Sequence, residues 1–385
     1  MRIASAIVAT CLAATACTNQ ISVVLATDGA LAGADDEIGS DGLTLTGDSV
    51  ATSSSTSTST TTTTTEPPPE PIVFGFAGDV QMIGSMAADE PVAGVAELLS
   101  APDLMLVNLE TVIGEPGEVG SPPIDKEFIF RSPPETLDQL IEAGVDVVAL
   151  ANNHSWDYGP RGARTTREYV DDSTLIGVGA GTDPATAYAP AYVEVKDQTV
   201  GIVSLSRVPC DWSREERAER PEIAWACDRF AVPAIATIAT AAANADHTIV
   251  MLHAGTEVTD CPDDELRRVI GVYIEAGADV ISISHPHVLQ GVEVIDGTPV
   301  LWSTGNFAFR NRGGRTGRSA VFEVTLGAGD PIVTIRPTVL PGGRAEPAML
   351  GPAIDVVVEV TDRSRGGRVG ADGVLVPDPA PSICD

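Results

Sequence analysis

The sequence predicts an α/β fold from Ile72 onward, a two-sheet sandwich more than one doubly wound sheet. Two observations carry this. Short β-rich apolar runs alternate with helical patterns, as in layered α/β sheets. Several strand pairs are also joined by hairpin signals, which a purely parallel sheet lacks. Walker A and dinucleotide-binding glycine fingerprints are both missing.

In chain order, Ile72-Val-Phe-Gly-Phe reads as a buried strand, and Asp103 to Val107, Val145 to Leu150 and Thr174 to Val178 read likewise. Thr199 to Leu205, His247 to Leu252 and Val280 to Ile283 complete the set. Helices are expected over Val92–Ser100, Pro134–Ala143, Gly162–Asp171, Val232–Asn244 and Asp263–Ala276. Lys196-Asp-Gln joins Ala191–Val195 to Val200–Leu205, and Asp296-Gly297 joins Val292–Ile295 to Pro299–Trp302 as a stronger hairpin signal. Val321–Leu326 and Ile332–Pro337 read as further antiparallel strands. Residues 341–385 form a C-terminal extension rich in Pro, Gly and Val, which either adds a strand or wraps the domain.

Before Ile72 the chain changes character. Residues 1–17 read as a targeting segment: Arg2 precedes an uncharged apolar run, Ile3 to Ala16, too short to span a bilayer as a mature helix. Ala14-Thr15-Ala16-Cys17 resembles a lipoprotein box, with secretory cleavage and an uncleaved anchor as alternatives. Residues 18–71 pass from a small, acidic stretch into a Ser/Thr run and Glu66-Pro-Pro-Pro-Glu-Pro, the composition of an extended stalk. The expected location is the outer face of a bacterial membrane, lipid-anchored or secreted. Setting aside Cys11 and Cys17, four cysteines remain: Cys210, Cys227, Cys261 and Cys384. An oxidising exterior favours two disulfides with three connectivities; Cys210 with Cys227 is the first choice because it closes a short loop.

The formal charge is −31; the first 70 residues hold one Arg and eight Asp/Glu, which leaves −24 on residues 71–385. Like charges repel, so nucleic acid and anionic membrane surfaces are disfavoured as partners, and polyanions too unless bound cations invert the local field. The membrane contact expected is the N-terminal anchor alone.

Four of the five histidines fall in three motifs that follow apolar runs: Asn152-Asn153-His154, His253-x-x-x-Glu257 and His285-Pro286-His287. Gly78-Asp79 and Asn108-Leu109-Glu110 end two further strands. Ligands of α/β folds gather beyond the carboxyl ends of strands. Carboxylate, amide oxygen and imidazole together suit two divalent ions such as Mn²⁺, Fe²⁺ or Zn²⁺, which can clamp a phosphoryl group. The fifth histidine, His247, starts a strand and reads as structural.

These motifs resemble the CapA family, named for bacterial poly-γ-glutamate capsule synthesis and related to calcineurin-like metallophosphoesterases. The likeness rests on Phe76-Ala-Gly-Asp-Val, Asn108-Leu-Glu-Thr, Ala149-Leu-Ala-Asn-Asn-His, Asp157-Tyr-Gly, His253-x-Gly-x-Glu257, Gly277-Ala-Asp-Val, Ser284-His-Pro-His-Val-Leu-Gln290 and Ser303-Thr-Gly-Asn-Phe307. It implies a four-layer α/β/β/α sandwich over residues 72–340, of the metallophosphoesterase kind. It implies metal ligation by Asp79, Glu110, Asn153, His253 and His285, with His287 completing a second ion or touching substrate. His154 would stand beside the attacked phosphoryl as general acid or electrostatic stabiliser, Asp157 would orient His154, and Glu257 would orient His253. Asn306 reads as a turn residue with a lesser claim on the site. The partner implied is a cell-envelope polymer or a phosphate ester, hydrolysed or only held. Ala254, Val258 and Ile283 depart from the family pattern without removing a ligand.

Overall fold

The computed structural model describes residues 23–25, 68–122, 126–210, 220, 222–310 and 313–385. The targeting segment and nearly all of the stalk lie outside those residues.

Two sheets organise the chain, each mixing parallel and antiparallel pairs. The first contains β1 (Ile72–Val80), β2 (Leu104–Leu109), β3 (Val147–Ala149) and β4 (Ile176–Val178), all parallel neighbours. The second contains β5 (Ala191–Val195), β6 (Gln198–Ser206), β7 (His247–His253), β8 (Val280–Ser284), β9 (Val292–Ile295) and β10 (Thr298–Leu301). Strands β6, β7, β8 and β10 run parallel; β5 and β9 pair antiparallel through the two expected hairpins. A three-residue strand, Val23–Leu25, pairs antiparallel with the free edge of β5. Short β11 (Asn306–Ala308) lies parallel to the end of β1. Strands β12 (Arg318–Leu326) and β13 (Ile332–Val339) then extend the first sheet antiparallel from β1.

Strand periodicity sorts the side chains into two cores. Phe74, Phe76, Leu104, Leu106 and Val147 of the first sheet share one apolar cluster with Val200, Ile202, Ile249, Met251 and Val280 of the second. Alternate residues such as Met105, Val107, Val203, Leu205, Val250 and Ile281 join another cluster with the helices. There α1 (Glu135–Ala143) contributes Leu137 and Leu140, α2 (Gly159–Asp171) Val170, α3 (Ala231–Ala242) Ile238, and α4 (Asp264–Glu275) Leu266 and Ile270. Both faces of the parallel strands are therefore buried, and they read as nearly unbroken apolar runs. Asp263 caps α4 by accepting the Leu266 N–H at 2.7 Å.

Residues 341–385 include a helix that the sequence did not announce, α5 (Leu350–Arg363). Its Val356 and Val360 enter the cluster between the sheets, on the face of β12 and β13 that carries Phe322 and Ile335. Buried Glu359 pairs with Arg318 at 2.9 Å and Arg315 at 3.4 Å. Disulfides join Cys210 to Cys227 and Cys261 to Cys384. Among the described residues no helix is long and apolar enough to cross a membrane.

Candidate functional site

Parallel pairing brings the carboxyl ends of both sheets to one place. Across the first sheet Asn306 pairs with Asp79, Asp79 with Asn108, and Asn108 with Ala149, just before the Asn152–His154 turn. Across the second, Ser206 pairs with His253 and His253 with Ser284, just before His285. Gly78 lets β1 pass against the 305 turn: a Cβ there would collide with the Gly305 carbonyl. His285 and His287 both adopt positive φ, 103° and 56°, a backbone strained for these residue types. The Asp79 carboxylate helps to hold that turn, accepting the His285 N–H at 3.3 Å.

Glu110 is at the centre. It is fully buried, and neither carboxylate oxygen has a hydrogen-bond partner. Its Oε1 lies 3.5 Å from His253 Nε2 and 3.9 Å from both His154 Nε2 and His287 Nε2. Burial first, and the Asp79 charge second, push its pKa well above the usual carboxylate range. Burial also lowers His253 well below its ordinary value, His285 to about 3 and His154 to about 4. These imidazoles are therefore neutral near pH 7, the form that ligates metals. His287 goes the other way: burial works against its charge, but Glu110 and Asp79 outweigh it and lift the pKa to about 10.

Two groups of side chains offer ligand atoms within 4.8 Å of one another around Glu110: Glu110 with His253 and His285, and Asp79 with Glu110 and His287. Asn153 Oδ1 meets His253 Nε2 at 2.9 Å, which puts the amide oxygen beside the first group. The nitrogen His285 Nδ1 is buried without a partner. Buried carboxylate oxygens and imidazole nitrogens left unpaired are what a divalent ion would satisfy, and the donor set suits one. All six residues expected to bind metal thus come together.

His154 lies alongside. Its Nδ1 is 2.6 Å from Asp157 Oδ2, so Nδ1–H donates to that carboxylate and Nε2 faces Glu110. Glu257 is placed otherwise than the sequence reading had it. It is exposed and groups with His285 and His287, while His253 Nδ1 meets Asn108 Nδ2 at 3.2 Å and Ser284 Oγ at 3.1 Å. The loop after His253 turns through Gly255 at φ 105°, and the Glu257 carboxylate stands by His285 and His287. His247 meets Gln198 at 3.2 Å, at the opposite end of β7.

The sequence places Asn108 at a strand end and gives Asn306 a lesser claim on the site, while no motif in it singles out Lys126 or Phe130. Asn108 donates to Asp79 Oδ1 at 2.8 Å and bridges it to His253. Asn306 accepts from His287 Nδ1 at 2.9 Å, so it holds a site residue as well as a turn. Lys126 donates to Asp157 Oδ1 at 2.8 Å and to the Asn153 carbonyl at 3.0 Å. It is one of only two lysines in the chain, and that rarity was the available signal. Phe130 stacks on His154 at 4.0 Å, and its N–H donates to Asp157 at 2.7 Å.

Comparison with known proteins adds to this geometry. PGA biosynthesis protein CapA of Bacillus subtilis is 31% identical over 203 residues, 52% of this chain and 52% of that protein. Capsule biosynthesis protein CapA of Bacillus anthracis is 28% identical over 235 residues, 58% of this chain and 54% of its own length. The chain thus spans about half the length of the curated relatives it matches. A crystal structure described as a novel phosphatase from Mycoplasma pneumoniae aligns at 16% identity with a TM-score of 0.41, covering 72% of this chain and 91% of that one. The family described as bacterial capsule synthesis protein PGA_cap matches residues 42–311, most of the chain, and the chain belongs to that family.

Proposed function

We propose that this is an exported, surface-tethered hydrolase of the metal-dependent phosphoesterase type, built on a four-layer α/β/β/α scaffold. It acts in the metabolism of poly-γ-glutamate, capsule or another cell-envelope polymer. The observation that carries the reading is Glu110, a buried carboxylate with two unpaired oxygens ringed by imidazoles. Two divalent ions, Mn²⁺, Fe²⁺ or Zn²⁺, would be held by Glu110, His253 and His285 with Asn153, and by Asp79, Glu110 and His287. When bound, such ions supply Lewis-acid charge to a phosphoryl group.

The chain's own groups do the rest. Asp157 fixes the Nδ1–H form of His154, which leaves Nε2 to take up and return a proton. Because His154 is neutral in the resting site, its expected role as an acid needs a proton that an anionic substrate would favour. Phe130 shields one face of that ring from water. The site opens where His287 is 15% exposed and Glu257 lies at the surface, so a ligand can reach it.

Metal analysis of purified protein and an assay on bis-p-nitrophenyl phosphate test the proposal. Bound divalent metal and turnover that EDTA abolishes are expected; reloaded protein that stays inactive counts against hydrolysis. The names of the relatives favour a second reading, a non-hydrolytic capsule-assembly component with a structural metal. Metal retention with no turnover, and altered surface polymer on deletion, would single it out.

A further inference from the structure

Of the eight phenylalanines, three form a chain of ring contacts along one side of the site. Phe130 lies 4.0 Å from the His154 ring and stacks on it, and it meets Phe309 edge-on at 5.7 Å. Phe309 in turn lies 4.9 Å from the His287 ring. Phe128 joins from outside at 6.4 Å from Phe130, and it is 52% exposed. One exposed apolar residue means little on a protein surface. Here the exposed ring continues a buried aromatic row that touches both His154 and His287, so an apolar surface borders a strongly polar centre. Ligand sites pair apolar walls with a few convergent polar groups in this way. The loop that carries Phe128 and Phe130 is anchored on both sides of Phe128: Lys126 bonds Asp157 and the Asn153 carbonyl, and the Phe130 N–H bonds Asp157. Phe128 is therefore presented by a braced segment.

The geometry points to a ring-binding shelf, Phe128 with Phe130 and Phe309, that seats a flat ring carried by the substrate next to its phosphoryl group. This rests on the phosphoesterase reading above and narrows it: among phosphate esters, the group favoured is a ring-bearing one. Aromatic faces prefer offset or edge-on partners, and a flat ring on Phe128 meets that preference.

The test uses the full-length, metal-loaded protein and two non-hydrolysable ligands with the same anionic head, phenylphosphonate and methylphosphonate, measured by titration calorimetry. Phenylphosphonate is expected to bind roughly threefold to tenfold more tightly, the scale of one aromatic pair. Phe128→Ala, at an exposed position where folding is not at stake, should remove that preference and leave methylphosphonate unchanged. Equal affinities in the natural protein, or a preference that survives Phe128→Ala, overturn the shelf while leaving the anion site standing. If neither phosphonate binds, the anion site falls and the shelf with it.

Discussion

Glu110 shows how a single side chain can declare a missing partner. A buried carboxylate is tolerated when paired or metal-bound, and this one has imidazoles and the like-charged Asp79 near it but no hydrogen-bond partner. Glu110→Gln keeps the shape and removes the charge. It should weaken divalent-ion affinity at least about tenfold, judged against the loss typical of groups that merely support ligands, as read by calorimetry with Mn²⁺ or Zn²⁺. In EDTA the same variant should melt higher than the natural protein. Because the folded pKa of Glu110 is raised, the stability linked to its protonated form is present below the unfolded value of about 4.3. That stability is lost as the pH rises through the folded value. The gap between variant and natural protein should therefore widen from pH 5 to pH 8; a constant gap means that Glu110 is not the strained group. Lys126→Met should cost about 1.5–3 kcal/mol, since it removes one of the three partners of the buried Asp157 carboxylate, and urea unfolding measures it. Asp79, Glu110 and the histidines were legible because acids and imidazoles follow strand ends in order. Lys126 and Phe130 were not, because a loop brings them to Asp157 and His154 from more than 20 positions earlier, a contact no local pattern encodes.

At the level of elements, the parallel strands were readable because both faces are buried and the apolar runs are continuous. The hairpin at Asp296-Gly297 was readable because both residues take positive φ, 50° and 89°, as a two-residue hairpin turn demands. Helix α5 was hidden. Its Ile354, Val356, Val357, Val358 and Val360 favour strands, and Gly351-Pro352 stands near its start. Packing decides instead: a helix sets Val356, Glu359 and Val360 on one buried face, so the valines enter the inter-sheet core while Glu359 reaches Arg318. The extension is also stapled by Cys261–Cys384 across 123 positions of sequence, beside the Asp260–Arg363 ion pair. Replacing both cysteines with serine should cost about 3–5 kcal/mol by the loop-entropy argument, seen as a lower guanidinium midpoint. Metal content should not change, because no candidate ligand lies on α5; metal loss on reduction would place the extension among the determinants of the site.

The whole molecule carries a conflict between its charge and its family. Residues 71–385 hold a formal −24, and a body that acidic repels a polyanion such as the poly-γ-glutamate of the proposed function. Only a local reversal of the field could admit an acidic chain, and among the described residues the groups suited to it surround Glu110, where two ions would add four positive charges beside Asp79 and Glu110. Binding to poly-γ-glutamate should therefore depend on divalent metal. On a surface coated with that polymer, metal-loaded protein should be retained at about 0.15 M salt, where the screening length is about 8 Å and the diffuse repulsion is damped. Protein stripped with EDTA and dialysed should be retained far less, and Glu110→Gln should behave like the stripped protein even with metal supplied. Retention of stripped protein equal to that of the loaded form would mean that the polymer is held by a surface away from Glu110, and the metal centre would then have to be explained by its chemistry alone.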